Sequence, residues 1–472
     1  MPSETAREGD ALISTSSVGL ERAVGLVQKR APESDHLRQA ILDHTARVVV
    51  VGLGYVGLPL AIEFASVGFE VVGLEADQTR CRRLQAGDSY VEDVTAEAVR
   101  GLVGEGKLQP TSDYSCIASA EIVLICLPTP THKNREPDLT HITEGAQAMV
   151  PFLRVGQLVV LESTTYPGTT EEVLAPILAE SGLEPGEDFY LAYSPERIDP
   201  GNAKFGVRNT PRVVGGINPI STTLACSLYA QVVERVVSVS SPREAEMAKL
   251  IENTFRHVNI ALVNELAMLC DRMKINIWEA IAAAATKPFG FMPFHPGPGV
   301  GGHCIPIDPC YLSWKAREYD APARFIELAT EINASMPEYI VGKVVDTLNS
   351  RGKAVQGARV LILGVAYKRD IADTRESPAL KIMERLRQKG AKVSYHDPHV
   401  PELVIGADLL RCVPLDVETL SNADCVVLTT DHRAYPLDLI ARHSRLLVDT
   451  RHAFTDHKNG HIVTLWNGDH VP

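Results

Sequence analysis

Four valines in a row, Val48 to Val51, lead directly into Gly52-Leu-Gly54-Tyr-Val-Gly57 and then Leu-Pro-Leu-Ala-Ile, and nothing else in the chain restricts its fold so tightly. A β-branched run that stops at a glycine turn and resumes with helical spacing is a strand-turn-helix unit. Gly52 permits the sharp turn, Gly54 lets a pyrophosphate approach the main chain, and Gly57 lets the helix close on the strand. Amide groups at the helix start then face the phosphate charge. The same spacing also occurs in glycine turns that bind nothing, so the next strand matters. It ends at Glu75, where a carboxylate can accept both ribose hydroxyls of NAD and would repel a 2'-phosphate. NAD is the expected cofactor, while Arg80 leaves open a pyrophosphate contact or the use of NADP.

The alternation continues past this unit. Glu70 to Leu74, Ile122 to Cys126, Leu158 to Leu161 and Phe189 to Ala192 read as further strands, apolar on both faces as parallel strands require. From Arg243 to Lys274 the chain has neither proline nor glycine and carries apolar residues at helical spacing, which predicts a long helix. Its apolar face either packs internally or finds a second subunit. A Gly/Pro-rich loop follows from Pro288 to Pro309, and a second alternating region opens at Arg359, with strands at Arg359 to Leu363, Lys392 to Tyr395, Cys425 to Leu428 and Leu446 to Val448. The expected class is α/β, with two Rossmann-like doubly wound domains joined by the long central helix. The boundaries read as a polar extension over residues 1–45, with a short helix near Leu20 to Lys29, a dinucleotide-binding domain over 46–240, a central helical region over 241–335, and a second Rossmann-like domain over 336–472.

Net charge narrows the partners. The chain has 46 Lys and Arg against 59 Asp and Glu, a balance of -13, which disfavours a nonspecific nucleic-acid or membrane-surface role. Phosphate ligands must therefore meet locally placed donors. Nine cysteines without a CxxC pair or a zinc-spaced Cys/His cluster fit reduced thiols in a cytoplasmic protein, and no metal is expected. The first 45 residues are too charged for a signal peptide, and no apolar run approaches the roughly 20 residues that span a bilayer.

Gly297-Pro-Gly-Val-Gly301-Gly302-His303-Cys304-Ile-Pro-Ile-Asp308-Pro309 holds a thiol and a carboxylate one helical turn apart among glycines. On residue chemistry alone, Cys304 is either an inert loop thiol or a nucleophile. The segment resembles the cysteine loop of the UDP-sugar 6-dehydrogenases, GxGGxCxxxD. The resemblance runs from residue 47 to about 455 through motifs in the family's order: Leu127-Pro-Thr129-Pro130, Ser163-Thr164, Tyr193-Ser-Pro195-Glu196, Lys249-Leu-Ile-Glu-Asn253, Val365-Ala-Tyr-Lys368 and Asp373-Thr-Arg375-Glu376-Ser377.

That resemblance implies oxidation of a primary alcohol to a carboxylate with two NAD in sequence, through an aldehyde and a thioester on Cys304. It adds Tyr55, Val56, Thr129 and Thr164 to the cofactor contacts. Lys249 and Asn253 share a helix face and match groups that stabilise developing oxyanions. Thr164 is expected to hold a water, Glu196 to activate it as a carboxylate of raised pKa, and Asp308 to orient or deprotonate groups near Cys304. Substrate contacts are expected from Glu196, Lys249, Asn253, Gly301, Lys368 and Arg375. For each of these the plainer reading is a solvated charge, a helix cap or a packing amide. Two departures limit the transfer: Pro200 stands where some members carry a second Glu, and Ile307 where a Lys often precedes the Asp.

Asp88-Ser-Tyr-Val-Glu-Asp93, Glu162 to Thr169, Ser194 to Gly201 and Lys287 to Phe294 resemble the branch acting on UDP-N-acetylglucosamine. UDP-N-acetylgalactosamine, UDP-N-acetylmannosamine and UDP-glucose are the alternatives, and surface polysaccharide precursors the implied product use. The expected partners are the UDP-sugar and a second copy of the chain, as a homodimer or higher oligomer. Two rival classes are a two-electron β-hydroxyacid dehydrogenase, which needs no thiol, and a nucleotide-sugar sensor without turnover.

Overall fold

The computed structural model describes residues 31–91, 93–132, 135–198, 202, 204–457 and 460–468. The helix expected near Leu20 to Lys29 lies outside the described residues. The chain forms two compact units: one runs through Thr129 and includes Leu139–Glu246, and the other comprises Pro130–Asp138 and the chain from Met247 onward.

In the first unit, among the described residues, eight strands form one sheet in the order β3-β2-β1-β4-β5-β6-β7-β8. They are β1 (Arg47–Val51), β2 (Glu70–Leu74), β3 (Leu108–Thr111), β4 (Ile122–Ile125), β5 (Leu158–Leu161), β6 (Tyr190–Tyr193), β7 (Arg212–Gly216) and β8 (Val236–Ser238). The helices are α1 (Ala31–Leu42), α2 (Gly57–Ser66), α3 (Gln78–Gln85), α4 (Ala96–Gly104), α5 (Thr140–Met149), α6 (Ala175–Ala179) and α7 (Pro219–Tyr229). Alternate strand residues feed two cores. Val48, Val50, Ile122 and Leu124 pack with the α2 side chains Leu58 and Phe64. Val49, Val51, Val123 and Ile125 pack with Ile142 and Met149 of α5. Burial on both faces explains the unbroken apolar runs.

Two features depart from the sequence reading. Residues 31–42, assigned to a polar extension, form α1, whose Leu37 and Ile41 are buried in the first core. The second is the pairing of β6 with β7, which is antiparallel. β7 reads Arg-Val-Val-Gly-Gly, and its opening Arg and closing glycines hide it from a search for apolar runs.

The second unit begins with most of α8 (Pro242–Met273), the long helix expected from the sequence, followed by α9 (Ile277–Ala284), α10 (Asp308–Ala316) and α11 (Arg324–Ser350). A five-stranded parallel sheet follows in the order β10-β9-β13-β14-β15, among the described residues. Its strands are β9 (Arg359–Leu363), β10 (Lys392–His396), β13 (Cys425–Leu428), β14 (Leu447–Asp449) and β15 (Ile462–Thr464), and β11 (Glu402–Ile405) and β12 (Asp408–Arg411) make a separate hairpin. Val360 and Ile362 face α11 and α12 (Pro378–Gln388), while Leu361 and Leu363 face α13 (Val417–Asn422) and α14 (Leu437–His443). Helices thus cover both faces of this sheet as well, the doubly wound arrangement expected of it.

Candidate active site

β1 and β4 are neighbours, and the strand order runs outward from them in both directions. Such a switch point opens a crevice beyond the carboxyl ends of the strands, where open α/β sheets bind ligands. Gly52 sits there at φ +90, and a Cβ on it would come 2.8 Å from the carbonyl oxygen of Cys126. On Gly57 a Cβ would come 1.9 Å from the Gly52 oxygen, so that glycine serves the helix-to-strand contact. Around Gly54 a Cβ would meet nothing within 4 Å. Among the described residues no atom requires that glycine, and the open space beside it fits a phosphate brought against the backbone.

Glu75, just past β2, is 7% exposed and accepts from the amides of Leu53 (3.3 Å) and Asp77 (3.0 Å). These contacts hold it against the glycine turn, and a carboxylate offers about four acceptor sites. Val56 lies at the start of α2 and Tyr55 is 48% exposed in the same turn. Arg80 lies on α3, with its guanidinium 5.3 Å from the Tyr90 ring centroid. The Thr129 hydroxyl donates to the Thr164 carbonyl at 2.8 Å, tying together the chain beyond β4 and β5. These residues fit a dinucleotide with a free 2'-hydroxyl: a bare backbone for phosphate and a pinned carboxylate for ribose.

Glu196 follows β6 on the same edge and is buried. Its Oε1 accepts from the amides of Arg197 and Ile198, both at 2.6 Å, and its Oε2 lies 3.0 Å from Arg212 Nη1. Those three contacts fix the orientation of the carboxylate at the end of β6. Residues 199–201, including Pro200 of the family comparison, lie outside the described residues.

In the second unit, Lys249 and Asn253 stand one turn apart on α8, and Asn253 Nδ2 donates to Asp308 Oδ2 at the start of α10. Asp308 is 2% exposed. Burial pushes its carboxyl up to about 6, against the opposing pull of Lys249 and Asn253. The carbonyl of Cys304 accepts from the amides of Ile307 (3.1 Å) and Asp308 (2.8 Å), a tight turn that sets the thiol-bearing residue just ahead of that carboxylate. Lys249 and Asn253 thus lie beside Asp308, and Cys304 occupies the turn that leads into it.

The loop glycines have a further cause that the sequence did not disclose. A Cβ on Gly301 would come 2.7 Å from Tyr367 Cβ, and one on Gly302 would come 2.9 Å from the Tyr367 ring. Gly302 also donates its amide to the Arg375 carbonyl at 3.0 Å. The cysteine loop is therefore clamped against the segment that carries Lys368 and Arg375. Arg375 pairs with Asp373 at 2.6 Å and reaches His303 Nδ1 at 3.1 Å. Burial, then Arg375, lowers His303 to about 4, so the ring is neutral and can accept that contact. Lys368 follows a turn fixed by Asp397, which accepts from the amides of Val365 (2.7 Å) and Ala366 (3.0 Å).

Three family descriptions match the chain in order: the UDP-glucose/GDP-mannose dehydrogenase NAD binding domain over residues 46–233, the central domain over 243–335 and the UDP binding domain over 361–456. The chain belongs to the UDP-glucose/GDP-mannose dehydrogenase family. It is 39% identical to a UDP-N-acetyl-D-glucosamine 6-dehydrogenase of Pseudomonas aeruginosa, over 75% of this chain and 83% of that protein. It is 37% identical to a UDP-N-acetyl-D-mannosamine dehydrogenase of Methanococcus maripaludis, over 82% and 87% of the two chains. A solved UDP-N-acetylmannosamine dehydrogenase from Pyrococcus horikoshii superposes with a TM-score of 0.82 at 33% identity, covering 90% of this chain and all of that one.

This dehydrogenase is thus an NAD-dependent oxidoreductase acting on UDP-sugars. Among its described residues, Asp370, His399 and His432 bring metal-ligand atoms within 4.8 Å of one another. His432 is already engaged: Nδ1 accepts from the Asp370 amide and Nε2 lies 3.0 Å from Asp397, both at 3.0 Å. The group therefore reads as a hydrogen-bonded brace under the Lys368 turn. Among the described residues no helix is long and apolar enough to cross a membrane.

Proposed function

We propose that this dehydrogenase oxidises the C6 hydroxyl of UDP-N-acetyl-D-glucosamine to a carboxylate in two steps on Cys304. The observation that carries the reading is the cluster around Cys304, in which a buried carboxyl with a raised pKa, Asp308, is hydrogen-bonded to Asn253 and faces Lys249. NAD, held by the Gly52 to Gly57 turn, Glu75 and the Thr129/Thr164 edge, supplies the hydride acceptor for each oxidation.

The remaining chemistry falls to the chain. Asp308 takes the hydroxyl proton as C6 loses hydride, and Lys249 and Asn253 donate to the sugar oxygen as its charge grows. The Cys304 thiolate adds to the aldehyde carbon as the oxygen takes the proton back from Asp308, and the resulting thiohemiacetal returns that proton to Asp308 as it loses a second hydride to become a thioester. Water held by Thr164 loses a proton to Glu196 as its oxygen bonds to C6 and the C6–Sγ bond breaks. Cys304 leaves as thiolate, and the acid ionises. Lys368, Arg375 and Gly301 anchor the UDP-sugar; the guanidinium suits a bidentate phosphate contact.

The sugar assignment draws on the motif variants that resemble the N-acetylglucosamine branch and on the 39% identity to a UDP-N-acetyl-D-glucosamine 6-dehydrogenase. A second reading, UDP-N-acetyl-D-mannosamine, has the support of relatives with that name. Comparing kcat/KM for UDP-N-acetylglucosamine, UDP-N-acetylmannosamine, UDP-N-acetylgalactosamine and UDP-glucose separates them. Preference for N-acetylglucosamine is expected, and a preference for any other sugar by tenfold or more removes that assignment.

The assembly proposed is a homodimer along α8. Ile251, Phe255, Leu262, Leu266, Leu269 and Met273 of that helix are all at least 41% exposed. Their steps of three, four and seven residues form a seam, and a seam on one long helix can pair with its own copy about a twofold axis.

A further inference from the structure

Arg212 is a buried cation that none of the sequence motifs called for. It opens β7, the strand that runs antiparallel to β6 with Tyr193 opposite Gly215 and Ala192 opposite Gly216. Continuing that register past the end of β6 brings Glu196 opposite Arg212. The reversed strand therefore delivers a guanidinium to the edge where β5 and β6 end. Arg212 is 3% exposed, and each of its nitrogens has a defined neighbour. Nη1 lies 3.0 Å from Glu196 Oε2, Nε donates to Ser194 Oγ at 3.1 Å, and Nη2 pairs with Glu162. Glu162 follows β5, is 1% exposed, and accepts from the Tyr229 hydroxyl on α7. The Arg212 guanidinium carbon also lies 4.9 Å from the Tyr229 ring centroid.

We propose that Glu162 and Arg212 are positioning residues that together set the orientation and the proton affinity of Glu196. This rests on the reading of Glu196 as the group that activates water against the Cys304 thioester. A carboxylate paired fully with one buried arginine is fixed in place but is a poor proton acceptor, because its negative charge is already compensated. Here one guanidinium is shared by two carboxylates. Glu162 draws part of the positive charge, so Glu196 stays aligned by Arg212 and the amides of Arg197 and Ile198 while keeping charge to act on water.

The other groups facing this cluster support the sharing. Cys126, beyond β4, is pushed up to about 12 by burial and stays a neutral thiol. Tyr229 is raised by burial and stays a donor to Glu162. Arg197, beside Glu196 in the chain, directs its Nη1 to the Pro211 carbonyl at 2.6 Å. Burial lowers Arg212 itself, yet it remains cationic between two carboxylates.

The test follows decay of the Cys304 acyl adduct in single turnovers of the full-length enzyme, by quenched intact-protein mass spectrometry across pH. In Glu162→Gln the whole guanidinium charge falls on Glu196. Hydrolysis is expected to slow about tenfold, its acid limb to move down by about one pH unit, and KM for the UDP-sugar to change less than twofold. Tyr229→Phe removes the donor that competes for Glu162 while keeping the ring, so the limb is expected to move up. Glu162→Asp keeps the charge and is expected to restore part of the rate. A merely structural role cannot shift the two limbs in opposite directions. Limbs that stay in place, or move together, in folded Glu162→Gln and Tyr229→Phe enzymes overturn the proposal. Glu196→Gln run alongside keeps the failures apart. If it clears the adduct at the normal rate, the Glu196 reading itself fails; if it traps the adduct while the other limbs stay put, only the charge-sharing proposal fails.

Discussion

Asp308 shows how a single side chain acquires chemistry from its surroundings. Its carboxyl is 2% exposed, and burial outweighs the help of Lys249 and Asn253, placing its titration at about 6. Below that pH it is protonated and cannot take the sugar's proton; above it, it is ionised and can. The kcat/KM profile is therefore expected to fall on the acid side of pH 6. In Asp308→Asn that limb should vanish and the plateau drop by about 10²–10⁴-fold, the usual contribution of a positioned proton acceptor. A full-activity Asn variant with the limb intact would remove Asp308 from proton transfer. Asp308, Cys304, Lys249 and Asn253 were legible as candidates through their resemblance to the family's motifs, and the four-residue spacing added only that Lys249 and Asn253 share a helix face. Arg212 was not legible, since its approach to Glu196 comes from strand register between segments that are separate in the chain.

Among elements, the β1-turn-α2 unit was the most readable, and its three glycines are separable by experiment. A methyl on Gly57 would collide with backbone at 1.9 Å, whereas a methyl on Gly54 would touch no atom of the described residues within 4 Å. Gly57→Ala is expected to lower the melting temperature by roughly 2–10 °C, from an overpacking cost of about 1–3 kcal/mol. Gly54→Ala is expected to melt like the parent and to bind NAD about tenfold or more weakly, a loss near 1.4 kcal/mol. Thermal melts and NAD titration check both, and equal melting losses would show that Gly54 serves packing. Strands buried on both faces were found to within a residue or so, because a continuous apolar run has no competing explanation. The strand β7 escaped because glycines and a charged residue carry no strand signal of their own. The α1 helix was taken for part of a polar extension because its buried residues, Leu37 and Ile41, are sparse among polar ones.

At the scale of the molecule, two sheets, each covered by helices on both faces, were expected from the two alternating regions, and they are what the chain forms. What pattern alone left undecided was the partner of the long helix. Replacing Leu262 and Leu266, which are 51% and 41% exposed, with Glu is expected to turn the assembly monomeric in light scattering coupled to size exclusion, with secondary structure retained; an unchanged mass would place the interface elsewhere. The central claim is a four-electron oxidation through Cys304, and it is tested most directly by counting NADH formed per molecule of UDP-N-acetylglucosamine consumed, in the parent enzyme and in Cys304→Ala. The account predicts two NADH per sugar for the parent, with uronic acid as product, and loss of steady turnover in the variant. One NADH per sugar, with the Cys304→Ala enzyme as active as its parent, would contradict it.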